Sequence, residues 1–165
     1  MTVPGWAQDA IFYQIFPDRF ENGDKSNDPV NVRPWGSPPD TVHFQGGDLR
    51  GILNRLDYLA DLGVNVLYLN PIFLSPSTHR YSTVDYYQID PKLGTESDFD
   101  LLVSSLHQRG MRIILDGVFN HCGRGFFAFN DILENERESP YLDWFHVHRL
   151  PLDAYSPDRN PTYQG

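Results

Sequence analysis

Two passages decide the fold: "YLADLGVNVLYLNPIF" over residues 58–73 and "SLHQRGMRIILDGVF" over residues 105–119. Each leaves a helical pattern, crosses a glycine and enters an almost unbroken apolar run. In the first, Leu49, Ile52, Leu53, Leu56, Leu59 and Ala60 recur at helical spacing, and Gly63 suits a left-handed C-terminal cap. Val64 to Leu69 then has the composition of a strand covered on both faces, and Pro71 ends it. In the second, "TESD" sets Asp98 three residues after Thr95, a helix-start signal. Phe99, Leu102, Val103 and Leu106 form the stripe, Gly110 caps it, and Met111 to Leu115 make the next buried strand. Upstream, Ala10 to Phe16 is aromatic and β-branched and is stopped by Pro17, as in a first strand. Strands alternating with helices predict a parallel α/β sheet with right-handed crossovers.

Only three strands and two helices precede Asn120. A parallel barrel takes eight such units and about 250 residues, and an open doubly wound sheet about five or six strands. The chain therefore reads as the N-terminal part of a larger domain. Its strand-to-helix loops are long and polar, while its helix-to-strand returns are short. Parallel folds build their sites on the loops at the carboxyl ends of strands. The functional residues are thus expected in segments 17–48, 70–95 and 116–165.

Composition narrows the chemistry. With 165 residues and 40% hydrophobic content the chain can bury a sizeable core. A formal net charge of −9 argues against nucleic acid, whose phosphates call for clustered Lys and Arg, and fits a neutral substrate or a cation. A single cysteine, Cys122, excludes an intrachain disulfide. No apolar run approaches the roughly 18–20 residues of a membrane span, and the start "MTVPGWAQDAIF" has no secretory pattern. The expectation is a cytoplasmic protein, or a secreted or periplasmic one whose leader has been removed.

Three loop segments carry chemistry. "NGDKSND" gathers Asn22, Asp24, Asn27 and Asp28, hard oxygen donors that suit calcium but also the residues of an ordinary solvated turn. "THRYSTVDYY" offers His79, Tyr81, Asp85 and Tyr86; aromatic faces and hydroxyl-binding side chains fit a neutral carbohydrate, and Tyr86 and Tyr87 read better as loop packing. "DGVFNH" puts Asp116, Asn120 and His121 at the end of the third strand. Phe126, Phe127, Phe129, Trp144 and Phe145 read as a local aromatic core. His146 and His148 have no third metal ligand nearby in sequence.

Four segments in order, "AIFYQIFPDRFENGD", "FQGGDLRGI", "HRYSTVDYYQIDPKLGT" and "LDGVFNH", together resemble the α-amylase family of glycoside hydrolases. The later "FFAFNDILENERESPYLDWFHV" is most similar to its neopullulanase, cyclomaltodextrinase and maltogenic amylase subgroup. The resemblance implies a (β/α)8 TIM barrel, with residues 1–121 its first part (barrel strands one to three) and residues 122–165 the start of an irregular inserted B domain. It implies a structural calcium at Asn22, Asp24, Asn27 and Asp28, joined by Gly46 and Asp48 of "GGD". It implies that His79, Tyr81 and His121 contact the sugar beside the scissile bond. Asp116 would pair with an arginine from the fourth strand, and Asn120 would help fix the B domain. The implied activity is retaining cleavage of α-1,4-glucosidic bonds in starch-related glucans or maltooligosaccharides. Its two carboxylates lie on strands four and five in the family, so this segment alone is expected to be inactive. An amylase-like scaffold or sugar-binding module without catalysis is the alternative. The implied partner is an α-glucan, with no nucleic acid or membrane.

Overall fold

The computed structural model describes residues 2–154 together with the backbone of residues 163–164; residues 155–162 and 165 of the expected B domain lie outside the described residues. A single-turn helix α1 (Gly5–Gln8) leads into strand β1 (Phe12–Ile15), shorter at both ends than the apolar run suggests. The long polar loop follows, then helices α2 (Leu49–Asn54) and α3 (Leu56–Asp61), strand β2 (Val66–Leu69), a ribbon of β3 (Phe73–Leu74) and β4 (Asp85–Ile89), helix α4 (Glu96–Gln108) and strand β5 (Arg112–Leu115). Helix α5 (Phe127–Asn135) and a short antiparallel pair, β6 (His146–Val147) with β7 (Tyr163–Gln164), complete the described elements.

The main sheet has the order β1-β2-β5 and is parallel throughout, as the alternation of elements predicts. Its register aligns Tyr13, Leu67 and Ile113 in one row and Ile15, Leu69 and Leu115 in another. These residues belong to, or pack against, one apolar cluster with Leu49, Ile52, Leu56, Leu59, Leu102 and Leu106. One face of the sheet is therefore roofed by the crossover helices, and the alternation along each strand follows from the period of two. Gln14, Tyr68 and Ile114 share the other face, on which Asp116 comes next.

The stripe predicted as one helix over residues 49–60 is broken at Arg55, where the backbone leaves helical geometry. The Arg55 amide bonds the Ile52 carbonyl, an i to i−3 closure that tightens the turn, and its guanidinium pairs with Glu21 at 2.8 Å. The apolar spacing survives the break: Leu49, Ile52, Leu56 and Leu59 are all fully buried. The β3/β4 ribbon and helix α5 are among the elements that have no counterpart in the sequence reading. The β3/β4 ribbon has a register irregularity and only two residues on one side, too short for a visible period. Helix α5 starts without a side-chain cap and buries Ala128, Phe129 and Ile132, a stripe hidden in an aromatic-rich stretch.

The start of α4 matches its sequence signal. Thr95 Oγ1 accepts the Asp98 amide at 3.2 Å, and Asp98 Oδ2 accepts the Thr95 amide at 2.8 Å, a reciprocal box that satisfies two orphan donors. Asp98 also pairs with Arg50 of α2, joining the two crossovers. Partial burial works to raise the Asp98 carboxyl, but the bonds from Thr95 and Arg50 outweigh it and hold the group below its usual range. A folded-state value below the unfolded one contributes stability above the unfolded pKa and loses it as pH falls. Asp98→Asn should therefore cost on the order of 1 kcal/mol in urea denaturation at pH 7. Its stability should also fall less steeply than that of the unaltered chain as pH drops below about 4; parallel pH profiles would refute the assignment.

Candidate functional site

Asp116 stands one residue beyond β5, at the carboxyl end of the parallel sheet. Its Oδ2 accepts the hydroxyls of Tyr81 at 2.9 Å and of Tyr68, on β2, at 3.1 Å, while Oδ1 accepts the Val118 amide at 3.1 Å. Both phenols are pushed up, Tyr81 to about 12, by burial and then by the Asp116 carboxylate; for Tyr68 the hydrogen bond to Asp116 is the larger cause. Both are therefore protonated donors at neutral pH. Within this chain the Asp116 carboxylate thus holds two tyrosines. Tyr68 is absent from the sequence reading because a tyrosine inside an apolar strand looks like core.

The other expected residues gather around Tyr81. His121 Nε2 lies 2.9 Å from the Tyr81 carbonyl, which can only accept, so the ring donates from Nε2; its Nδ1 lies 3.2 Å from the Asn120 amide. His79 Nδ1 accepts the Tyr81 amide at 3.0 Å, so a neutral His79 carries its proton on Nε2. The His79 and Tyr81 rings are 5.9 Å apart and tilted by 32°. His79 and His121 are exposed, and Tyr81 is half-buried. The structure therefore brings His79, Tyr81, Asp116, Asn120 and His121 into one bonded group.

The turn that presents His121 is backbone-strained. Val118 has φ 49, a conformation β-branched residues rarely adopt, costing on the order of 1–3 kcal/mol. The Tyr86 hydroxyl holds this turn from the ribbon, within hydrogen-bond distance of the Val118 carbonyl (3.0 Å) and the His121 carbonyl (2.9 Å). Tyr86 also packs against Phe73, Phe119 and Phe126, in keeping with its reading as a packing residue. Beyond the turn, Phe126 and Phe127 lie 4.7 Å apart, Phe127 and Trp144 6.3 Å, and Phe129 and Phe145 5.4 Å, so these five aromatics form two adjoining contacts sets on and beside α5.

The second group is the loop after β1. Buried Asp48 caps α2 by accepting the Gly51 amide at 2.6 Å, and the same carboxylate accepts the Gly23 amide (3.1 Å), the Asp24 amide (2.8 Å) and Asn27 Nδ2 (3.2 Å). Asn22 Nδ2 bonds Asp28 Oδ1 at 2.8 Å. The Asp24 carboxylate turns away to the Ser26 amide and hydroxyl. The side-chain oxygens of Asn22 and Asn27 are buried without a hydrogen-bond partner, a costly state for an amide oxygen. Gly46, at φ 85, lies so close that an added Cβ would stand 2.5 Å from Asp28 Oδ1 and 2.6 Å from Asn22 Nδ2. Carboxylates alone do not build a site: among the described residues no three His, Cys, Asp or Glu side chains are grouped to hold a metal.

Comparison with known proteins assigns the fold. Residues 14–163 match the model of the alpha-amylase catalytic domain. A cyclomaltodextrinase of Thermoanaerobacter pseudethanolicus is 52% identical over 162 residues, which are 98% of this chain and 28% of that protein. An intracellular maltogenic amylase of Bacillus subtilis is 52% identical over 95% of this chain and 27% of its own length. Among solved structures, the cyclic α-maltosyl-(1→6)-maltose hydrolase of Arthrobacter globiformis in complex with that sugar superposes with a TM-score of 0.92 at 50% identity, over 99% of this chain and 36% of the other. The chain thus spans little more than a quarter of the curated relatives it matches. Its three parallel strands and two crossovers are the opening of a TIM barrel, and the chain belongs to the alpha-amylase catalytic-domain family.

Proposed function

We propose that the protein containing this chain hydrolyses α-1,4-glucosidic bonds in maltooligosaccharides or related glucans, with retention at the anomeric carbon. The observation that supports it best is the bonded group of His79, Tyr81 and His121 around Asp116 at the carboxyl end of the sheet. His79, its Nδ1 spent on the Tyr81 amide, offers an Nε2–H to a sugar hydroxyl. Tyr81, its hydroxyl spent on Asp116, offers a ring face to the apolar side of a pyranose. His121 takes a hydroxyl in exchange for one of its present bonds, to Asn120 or to the Tyr81 carbonyl. Retention requires two carboxyl groups about 5–5.5 Å apart. Asp116, held by two phenols and an amide, is a support for the sugar ligands and not one of that pair. The names of the relatives, a cyclomaltodextrinase and an intracellular maltogenic amylase, favour this substrate class and a protein that works inside the cell.

We further propose a structural calcium in the loop after β1. The orphaned oxygens of Asn22 and Asn27, the Asp28 carboxylate and the nearby backbone of Gly46 form a hard donor set of the kind calcium takes. Asp48 would stand behind them as the carboxylate that orders the loop, and Asp24 would contribute from its backbone, since its side chain is committed to Ser26. Bound calcium would supply cohesion and no chemical step.

In the full-length protein, Tyr81→Ala and His79→Ala should each lower kcat/KM on maltotriose about tenfold to a hundredfold, roughly 1.4–2.7 kcal/mol of lost transition-state stabilisation. Unchanged kinetics in both would remove these residues from the site. Calcium titrated into chelator-treated protein should give a calorimetric binding signal that Asp28→Ala abolishes. At a hundredfold excess over Kd the ion should add about 2.7 kcal/mol of stability. A melting temperature indifferent to both calcium and chelator would exclude the metal.

A further inference from the structure

Between the two proposed sugar ligands, His79 and Tyr81, stands Arg80, whose side chain is 1% exposed. Its backbone has φ 60, a left-handed conformation that a non-glycine residue seldom takes. Arg80 Nε bonds Asp90 Oδ2 at 2.9 Å, and one terminal nitrogen bonds the Thr78 carbonyl at 2.9 Å. The guanidinium lies over the Phe44 ring, 5.6 Å from its centroid. Asp90 is fully buried, and its other oxygen accepts the Lys92 amide at 3.0 Å. Its own amide bonds the Ile72 carbonyl, which seats it at the open end of the β3/β4 ribbon. The Arg80 carbonyl accepts the Thr83 hydroxyl at 3.2 Å. The tip of the loop is thus clamped to the base of the ribbon through one inward-pointing side chain, and the residues on either side of it carry the site.

A pair with this geometry is poorly explained by stability alone. Desolvating two charges offsets much of their attraction, and the second terminal nitrogen of Arg80 is buried with no hydrogen-bond partner among the described residues. A left-handed arginine adds strain that the surrounding structure must offset. What the arrangement does achieve is a fixed crossing of the backbone at residue 80, with the flanking residues held apart from Arg80: His79 on the surface and Tyr81 on Asp116.

We infer that the Arg80–Asp90 ion pair is a positioning device that sets His79 and Tyr81 at the spacing a bound glucosyl unit requires. The inference rests on the sugar-binding reading of those two residues. The full-length enzyme carrying Arg80→Gly tests it, because glycine accepts φ 60 without strain and so removes the side chain without straining the backbone. Arg80→Lys and Asp90→Asn are milder variants that carry the same reading if the glycine variant does not fold. Thermal melting followed by circular dichroism defines a temperature at which each variant is folded, and kcat and KM on maltotriose are measured there. The expected result is a fall in kcat/KM of about a hundredfold for Arg80→Gly, the scale of a small misplacement at a reacting centre, with a smaller fall for the milder variants. Combined with His79→Ala, the loss should be clearly less than additive, since both changes remove the same contact. Folded variants with wild-type kcat/KM, or losses that add fully to His79→Ala, would overturn the inference and leave Arg80 a stability element. A wild-type enzyme without activity on maltooligosaccharides or cyclic glucans would instead overturn the functional reading, and this inference with it.

Discussion

Parallel strands cannot be joined by tight turns, and that constraint orders this chain from end to end. β1 and β2 must each be followed by a crossover that returns the chain to the opposite end of the sheet, where the next parallel strand begins. The returning helices supply the roof over Tyr13, Leu67 and Ile113 and over Ile15, Leu69 and Leu115. The segments that leave the strands all start at one end, so "THRY" and "GVFNH" meet there although they are far apart in sequence. Apolar burial therefore settles where the polar chemistry stands, without taking part in it.

Loops of this length need their own source of order, and buried carboxylates provide it. Asp48 accepts four donors and ties the loop after β1 to the first turn of α2. Asp18, almost fully buried, accepts the amides of Gln45 and Gly46, bonds that only partly compensate a desolvation that pushes its carboxyl up. Asp90 does the same for the ribbon loop through Arg80 and Lys92. A charge removed from water in this way is tolerated only where donors converge on it. Each such site therefore specifies one loop conformation among many.

The parts of the fold that repeat were legible in the sequence. Leu49, Ile52, Leu56 and Leu59 announce by spacing a helical segment that the structure divides at Arg55, and the Thr95–Asp98 box announces α4 by a local motif. Asp116, Asn120 and His121 could be placed because the strand before them was recognisable. The partners of these residues could not. Tyr68 meets Asp116 across 48 positions, and Arg80 meets Asp90 through a left-handed turn; neither leaves a period or a composition bias behind. Polar pairs of this kind are set by register and loop geometry, which exist only after the apolar pattern has been satisfied. Helix α5 was hidden for a related reason, its short stripe lying among aromatics that would be apolar in any conformation.

The direction of the hydrogen bonds at the site follows from its acceptors. The Asp116 carboxylate and the Tyr81 carbonyl can only accept, so the hydroxyls of Tyr68 and Tyr81 and the Nε2 of His121 must donate. The Tyr81 amide can only donate, so His79 Nδ1 must accept and its remaining proton lies on Nε2. No freedom of proton placement is left in this group for neutral imidazoles. A ligand approaching it meets an outward donor on His79 and an aromatic face on Tyr81, with the tyrosine hydroxyl withdrawn from competition.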